Sequence, residues 1–155
     1  IVARKKVLLE HGLMPIWFRD YELEEVRKLG RETMVDHLGI EITYIDDQAI
    51  HGSMPVDART KQPAGLLHGG ASVALAESLA SIGANLVVDP SRQYCVGLEI
   101  NANHVGACTE GKVQATAAPL HLGKSTQVWE TRIHQGDRLV CVSRMTLAVL
   151  ERRVK

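Results

Sequence analysis

The spacing of apolar and polar residues divides the chain into a short helix, a long helix and six strands. Residues 21–29 carry apolar side chains at helical spacing among charged ones, which predicts a short amphipathic helix that Gly30 ends. A second helix is predicted from near Gly69 to just before Asp89, because this segment is almost continuously small and apolar and Pro90 disfavours a longer helix. Such a helix must be covered on several sides.

The predicted strands fall on both sides of the long helix. Residues 34–45 and 49–56 are predicted to form a hairpin around a turn at Asp46 and Asp47, and residues 57–67 form a loop. The last four strands are predicted at residues 93–105, 111–120, 125–134 and 138–150. Their short, glycine-containing connections predict a meander of antiparallel neighbours. An antiparallel sheet with one apolar face must be covered, so the sequence predicts an α+β fold, a curved antiparallel sheet wrapped around one central helix.

The composition is that of one soluble domain. The chain has 155 residues, and its 18 basic residues balance its 18 acidic ones. This balance gives no general attraction to nucleic acid or to an anionic membrane. Polar residues interrupt the most apolar segment, residues 66–88, so no membrane span is predicted. We expect residues 1–13 to be a disordered or cloning-derived extension, residues 14–150 to be a single domain, and residues 151–155 to be a charged tail.

The cysteines indicate a reducing compartment. Cys95, Cys108 and Cys141 are odd in number, widely spaced and outside any CxxC pair. Each lies in an apolar, strand-like segment, so we expect buried free thiols rather than nucleophiles or ligands. The predicted location is the cytoplasm.

Glu77 is the one charged residue of the long helix, since no other occurs between Lys61 and Asp89. Burying an unpaired carboxylate is costly, so Glu77 is expected either to pair with a cation or to take part in catalysis. The positions of the charged residues in the sequence do not distinguish an ion pair with Arg132 or Arg144 from a catalytic role. The structure is needed to distinguish these two alternatives.

The start of the long helix is a second candidate functional site. Gly69 and Gly70 leave backbone N–H groups unhindered at the positive end of a helix, where an anion or a carbonyl oxygen can bind, although two glycines also suit a simple turn. Glu77 lies eight residues after Gly69, about 12 Å along the axis, and Ser81 lies on its face. One carbonyl cannot touch both groups. If they act together, the helix start belongs to a second, antiparallel copy and the site lies at a two-fold dimer interface.

Five motifs occur in order along the chain: PVDARTKQP at residues 55–63, GLLHGGAS at 65–72, LAES at 75–78, GLEINANH at 97–104 and PLHLG at 119–123. Over about residues 14–150 they resemble the hotdog-fold acyl-CoA thioesterases, in the 4-hydroxybenzoyl-CoA and phenylacetic-acid-type branch. Members of the group it most resembles act in menaquinone and enterobactin synthesis. The resemblance implies the hotdog fold, with dimers that pair into tetramers.

The resemblance also implies a hydrolase that cleaves an acyl-CoA with an aromatic or small acyl group, or a carrier-protein thioester, to free acid and thiol. Glu77 falls at the catalytic carboxylate, as nucleophile or general base, and Gly69 at the N–H that polarises the thioester carbonyl. Supporting positions are Gln62, His68 and Ser81. Gln62, His68 and Gly69 are expected from one subunit, and Glu77 and Ser81 from its partner.

Other positions match those that contact the coenzyme A arm in relatives. They are Gly97, His104 and Val105 in the run 104–107, and His121, Leu122, Gly123, Lys124 and Ser125 in the turn 121–126. The sequence departs from the pattern of close relatives at two positions. Ala64 stands where they carry Phe, and Gly106 stands where they carry a basic residue. The first leaves acyl specificity open. The second leaves the phosphate contacts open, and Lys124 is one candidate for the missing charge.

No cofactor is expected apart from the coenzyme A of the substrate. No metal is expected either, because His68, His104 and His121 lack the spacing of zinc ligands. Two alternatives to hydrolysis remain: a hotdog hydratase or dehydratase, and a non-catalytic acyl-CoA sensor. No helix-turn-helix segment or basic arm supports the sensor.

Overall fold

The computed structural model describes residues 14–153, so the predicted extension and the last two residues of the predicted tail lie outside the described residues. Within this range the helices are α1 (Leu23–Arg27), α2 (Met34–His37) and α3 (Gly69–Val87), and a 3-10 turn at Lys28–Gly30 follows α1. The strands are β1 (Glu41–Ile45), β2 (Ile50–Pro55), β3 (Gln93–His104), β4 (Lys112–Leu122), β5 (Thr126–Gln135) and β6 (Arg138–Glu151).

The six strands form one antiparallel sheet in the order β1-β2-β4-β5-β6-β3. The predicted hairpin of β1 and β2 is confirmed, as is the meander of β4, β5 and β6. The place predicted for β3 is wrong, because β3 pairs with β6 at the edge of the sheet and β4 pairs with β2. The connection over residues 105–111 is no tight turn. Val105 and Gly106 donate to the Val140 carbonyl, and the Cys108 carbonyl accepts from Leu67.

The region before β1 also differs from the prediction. Met34–His37 form the helical turn α2 rather than the start of a strand. The Thr33 hydroxyl accepts a hydrogen bond from the Val35 N–H at 3.2 Å and caps this turn, and Gly39, with a φ of 68°, ends it. A threonine cap and a left-handed glycine are the usual ends of a helix, so this signal was present in the sequence.

Helix α3 fills the concave face of the sheet. Leu75, Leu79 and Ala84 on α3 are fully buried, as is Trp129 on β5. A Cβ atom at Gly83 would lie 2.8 Å from the Trp129 ring, so glycine at this point lets the helix reach the sheet. The predicted helix, its limits and its wrapping by the sheet are confirmed.

The apolar character of α3 comes from the protein core. With a mean hydropathy of 1.3 over its most apolar window, α3 alone among the helices of residues 14–153 is long and apolar enough to cross a membrane. The expectation that polar residues exclude this on composition is therefore wrong. The sheet buries 56% of that window, so α3 is the core helix of a soluble fold.

Candidate active site

The start of α3 presents a free backbone donor. The Gly70 N–H donates to Nδ1 of His68 at 2.8 Å, so that nitrogen carries no proton and Nε2 of the ring carries it. The His68 carbonyl accepts from the N–H groups of Ala71 and Ser72. Across residues 14–153, the Gly69 N–H has no acceptor. An N–H group at the positive end of a helix is therefore left for a ligand.

Two imidazole rings explain why glycines occupy this helix start. A Cβ atom at Gly69 would lie 2.8 Å from Nε2 of His104, and one at Gly70 would lie 3.0 Å from Nδ1 of His68. Both rings therefore stand against the backbone, where a larger residue would push them away. His104 was predicted at the coenzyme A arm, and the structure places it beside Gly69.

A groove of about 440 Å³ opens at this point, and we call it the helix-end groove. Its lining includes Gln62, His68, Gly69, His104 and Gly106. Oε1 of Gln62 accepts from the Ala64 N–H at 2.9 Å, which leaves the amide N–H groups of this side chain for a ligand. The three predicted residues Gln62, His68 and Gly69 are thus brought together, and no carboxylate lines the groove.

Glu77 lies in a second groove, of about 400 Å³, which we call the Glu77 groove. Ser78 and Ser81 share the α3 wall with it, while Leu29 and Met34 line the opposite side. The Ser81 hydroxyl donates to Sδ of Met145 at 3.8 Å. Glu77 and Ser81 are therefore neighbours, as predicted.

The expected burial of Glu77 is wrong for the single chain, since its side chain is exposed. The reason is that the sheet covers the other faces of α3 and leaves this one open. Arg132, one of its candidate partners, pairs instead with Glu130 at 2.8 Å. Among the residues that the structure describes, Glu77 has no ion pair with Arg132, Arg144 or any other cation.

Strand β3 connects the two grooves. A Cβ atom at Gly97 would lie 3.5 Å from Oε1 of Glu77, and the far end of the same strand carries His104 against Gly69. Strand β3 therefore runs antiparallel to α3, with its Gly97 end beside Glu77 and its His104 end beside Gly69.

The residues predicted to contact coenzyme A fall into two separate groups. His104 ends β3 and Val105 follows it, whereas Gly97 lies seven residues before His104, about 23 Å away along the strand. The turn from His121 to Ser125 belongs to the Gly97 end, because Gly97 is opposite Leu147, which is opposite Gln127, which is opposite Leu122. Within one chain these groups do not meet.

The sequence did not identify the apolar side of the Glu77 groove. Leu29 and Met34 are 59% and 63% exposed, and together they form an exposed apolar surface on the groove that contains Glu77. Leu29 was predicted as an apolar position of the short amphipathic helix, and it lies in the 3-10 turn that follows α1. Met34 was assigned to a strand, so nothing linked it to Glu77.

The comparisons with known proteins fit this geometry. A profile of the thioesterase superfamily matches residues 64–142. The 1,4-dihydroxy-2-naphthoyl-CoA hydrolase of Escherichia coli is 49% identical over 136 residues, which cover 87% of this chain and 99% of the relative. The chain belongs to the thioesterase superfamily.

Further relatives of this thioesterase agree. The proofreading thioesterase EntH of Cronobacter turicensis is 46% identical over 136 residues, covering 87% of this chain and 98% of the relative. A solved thioesterase variant from Pseudomonas aeruginosa has a TM-score of 0.86 and 45% identity, covering 88% and 99% of the two chains. A thioesterase from Haemophilus influenzae has a TM-score of 0.85 and 44% identity, covering 88% and 95%. The predicted family, hydrolase class and hotdog fold are confirmed.

No group of three His, Cys, Asp or Glu residues between residues 14 and 153 could hold a metal ion. The expected absence of metal and of other cofactors stays a prediction.

The cysteines lie away from the solvent, as predicted. Cys95, Cys108 and Cys141 are free and buried. Burial raises the pKa of the Cys95 thiol to about 11, and it also raises the pKa values of Cys108 and Cys141 above their ordinary value. Because the thiolate is the nucleophile, these residues are poor candidates for catalysis.

We therefore expect the native thioesterase to react very slowly with a thiol reagent at pH 8, because its thiols are both buried and protonated. Absorbance of the released chromophore measures the reaction, and the denatured protein, which should expose all three thiols at once, is the control. Stoichiometric reaction of one thiol in the native protein within seconds would contradict this account.

Proposed function

We propose that this thioesterase hydrolyses an acyl-CoA to the free acid and coenzyme A at a site shared by two copies of the chain. The observation that carries the proposal is the division of the reactive groups. The free Gly69 N–H lies in one groove and the exposed Glu77 carboxylate in another, about 12 Å along the same helix. Each groove holds half of what thioester hydrolysis needs.

The helix-end groove supplies the oxyanion site. The thioester carbonyl oxygen accepts from the Gly69 N–H, and the negative charge that develops on it in the tetrahedral intermediate is stabilised by the positive helix end. The Gln62 amide and the Nε2–H of His68 are further donors in the same groove. These donors polarise the carbonyl carbon toward attack.

Glu77 supplies the attack on that carbon. Its carboxylate either adds directly, giving a mixed anhydride that water then hydrolyses, or takes a proton from an attacking water. In the first route the C–S bond breaks as the anhydride forms, and the departing thiolate takes a proton from solvent. In the second route the C–S bond breaks as the tetrahedral intermediate collapses, and the proton that Glu77 took from water passes to the thiolate. Ser81, in the same groove, is placed to orient the carboxylate or the water.

The edge of β3 indicates how two copies meet. The sheet pairs β3 with β6 on one side only, and within residues 14–153 no strand covers its other edge. A second copy can pair antiparallel with this edge about a two-fold axis. An axis at Asn101 places His104 of the partner subunit opposite Leu98, beside Gly97 and therefore beside Glu77.

In this dimer the residues predicted for catalysis come together, and so do the residues predicted to contact coenzyme A. The Gly69 N–H of the partner subunit comes to Glu77, so one carbonyl can touch both groups. His104 and Val105 of the partner subunit join Gly97 and the turn 121–125, which gives one continuous path for the coenzyme A arm. Leu98 and Val105 are each 62% exposed in the single chain, and the same pairing covers them. Pairing of such dimers into tetramers is part of the proposal.

The acyl group is proposed to lie in the Glu77 groove. Leu29, Met34, Val35 and Ile82 give it an aliphatic wall, and its volume of about 400 Å³ suits an aromatic or small acyl group. The name of the Escherichia coli relative gives an aromatic acyl-CoA as its substrate. We therefore favour an aromatic acyl group, with a role in menaquinone synthesis as one setting. The free thiols suit a cytoplasmic enzyme.

Substitution of Glu77 tests the chemistry. Glu77→Gln and Glu77→Ala should lower kcat for the best acyl-CoA by about 10³-fold, because the group that attacks or activates water is removed. Thiol release across aromatic, short-chain and long-chain acyl-CoA substrates identifies that substrate and measures the loss. Asp47→Asn, which neutralises an exposed carboxylate in the turn between β1 and β2, is the control and should retain activity. Near wild-type turnover of Glu77→Gln would overturn the role of Glu77, and water addition to an enoyl-CoA without thiol release would indicate a hydratase.

An engineered disulfide tests the dimer. In the proposed register Asn101 faces its own copy across the axis, so Asn101→Cys should form a covalent dimer under mild oxidation that a reductant reverses. Non-reducing electrophoresis measures it, and the buried native thiols do not interfere.

Glu99→Cys is the matched control on the same face of β3. Its two copies would lie about 13 Å apart, beyond the reach of a disulfide. Crosslinking of Glu99→Cys but not of Asn101→Cys would contradict the register.

A further inference from the structure

Arg138 is a cation beside the helix-end groove, and it takes no part in the proposed hydrolysis. It opens β6, where Gln135 is its partner across the turn from β5. A Cβ atom at Gly106, which lines the groove, would lie 3.6 Å from Nη1 of Arg138. The guanidinium group therefore lies at the rim of the groove that contains Gly69.

The segment around Gly106 makes this position possible. A Cβ atom at Gly106 would lie 2.8 Å from the Leu139 carbonyl oxygen, so only glycine lets the segment lie flat against the start of β6. Gly106 stands where close relatives carry a basic residue, and Lys124 was predicted as one candidate for the missing charge. The structure has the Arg138 guanidinium beside position 106 of the same chain, whereas Lys124 comes near this groove only from the partner subunit in the proposed dimer.

The hydrogen bonds of Arg138 leave most of its donors free. Nη2 donates to Oε1 of Gln135 at 3.0 Å and to Sγ of Cys108 at 3.7 Å, and both acceptors are neutral. In the described part of the chain, neither Nη1 nor Nε has an acceptor, and no carboxylate pairs with this side chain. An exposed guanidinium with free N–H groups and no carboxylate partner favours an anionic ligand.

We propose that Arg138 binds a phosphate of the thiol carrier to which the acyl group is attached. This proposal rests on the proposed function, since the groove must hold the thioester carbonyl. Arg138 lies three residues, about 10 Å along β6, from Cys141, which is opposite His104, the residue against Gly69. The pantetheine arm can span that distance and deliver its phosphate to the guanidinium. Arg138 thereby favours phosphate-bearing thioesters over simple ones.

Steady-state kinetics with three thioesters of one acyl group test the proposal. The carriers are coenzyme A, 4′-phosphopantetheine and pantetheine, which has no phosphate. Arg138→Gln should raise KM for the acyl-CoA about tenfold, because a charge-assisted hydrogen bond is lost, while kcat and all values for acyl-pantetheine stay unchanged. Arg138→Lys should recover part of the affinity. Lys112→Gln, which removes an exposed positive charge from β4, should change nothing.

Each outcome is decisive. A rise in KM for both phosphate-bearing thioesters identifies the phosphate next to pantetheine, which carrier proteins share, and a rise for acyl-CoA alone identifies a nucleotide phosphate. An equal change for all three thioesters, or none for acyl-CoA, would overturn the proposal. If the wild-type protein cleaves none of them, the proposed function fails instead. Calorimetric binding of coenzyme A to the wild type and to Arg138→Gln then still decides whether Arg138 binds phosphate.

Discussion

The rigid separation of two groups on α3 determines most of what this thioesterase can do. The free Gly69 N–H lies at the helix start, and Glu77 lies about two turns further on. A helix cannot bend over eight residues to bring them to one carbonyl, and the buried side of α3 holds it against the sheet. Strand β3 passes both groups and has a free edge. Antiparallel pairing of two such edges is the simplest way to join the start of one helix to the middle of another.

Local patterns predicted the parts of the fold that depend on local forces. The limits of α3 follow from its glycine start and from Pro90, and the hairpin of β1 and β2 follows from the turn at Asp46 and Asp47. The position of β3 did not follow. Which strand it pairs with depends on where residues 105–111 cross the sheet, and that path is set by hydrogen bonds to Val140 and Leu67, which are distant in sequence.

The candidate site was predictable in its residues but not in its environment. Glu77 stood out because no other charge lies near it in sequence, yet whether a helix face is buried depends on how far the sheet curves around it. The apolar side of its groove comes from Leu29 and Met34, which precede α3 by a long stretch of chain. No sequence pattern identified Arg138, because its place beside the groove depends on the absence of a side chain at Gly106. A single sequence does not show which distant residues lie close together in the folded chain.

Mixing of two inactive variants tests the shared site most directly. Glu77→Gln removes the carboxylate, and Gly69→Ala places a methyl group against His104 at the oxyanion site. If each site takes Glu77 from one copy and Gly69 from the other, co-expressed chains form heterodimers in which one site carries both defects and the other carries none. Random pairing should then restore about a quarter of the wild-type thioesterase activity. Activity no greater than the mean of the two separate variants, with heterodimers shown by differential tags, would contradict the shared site.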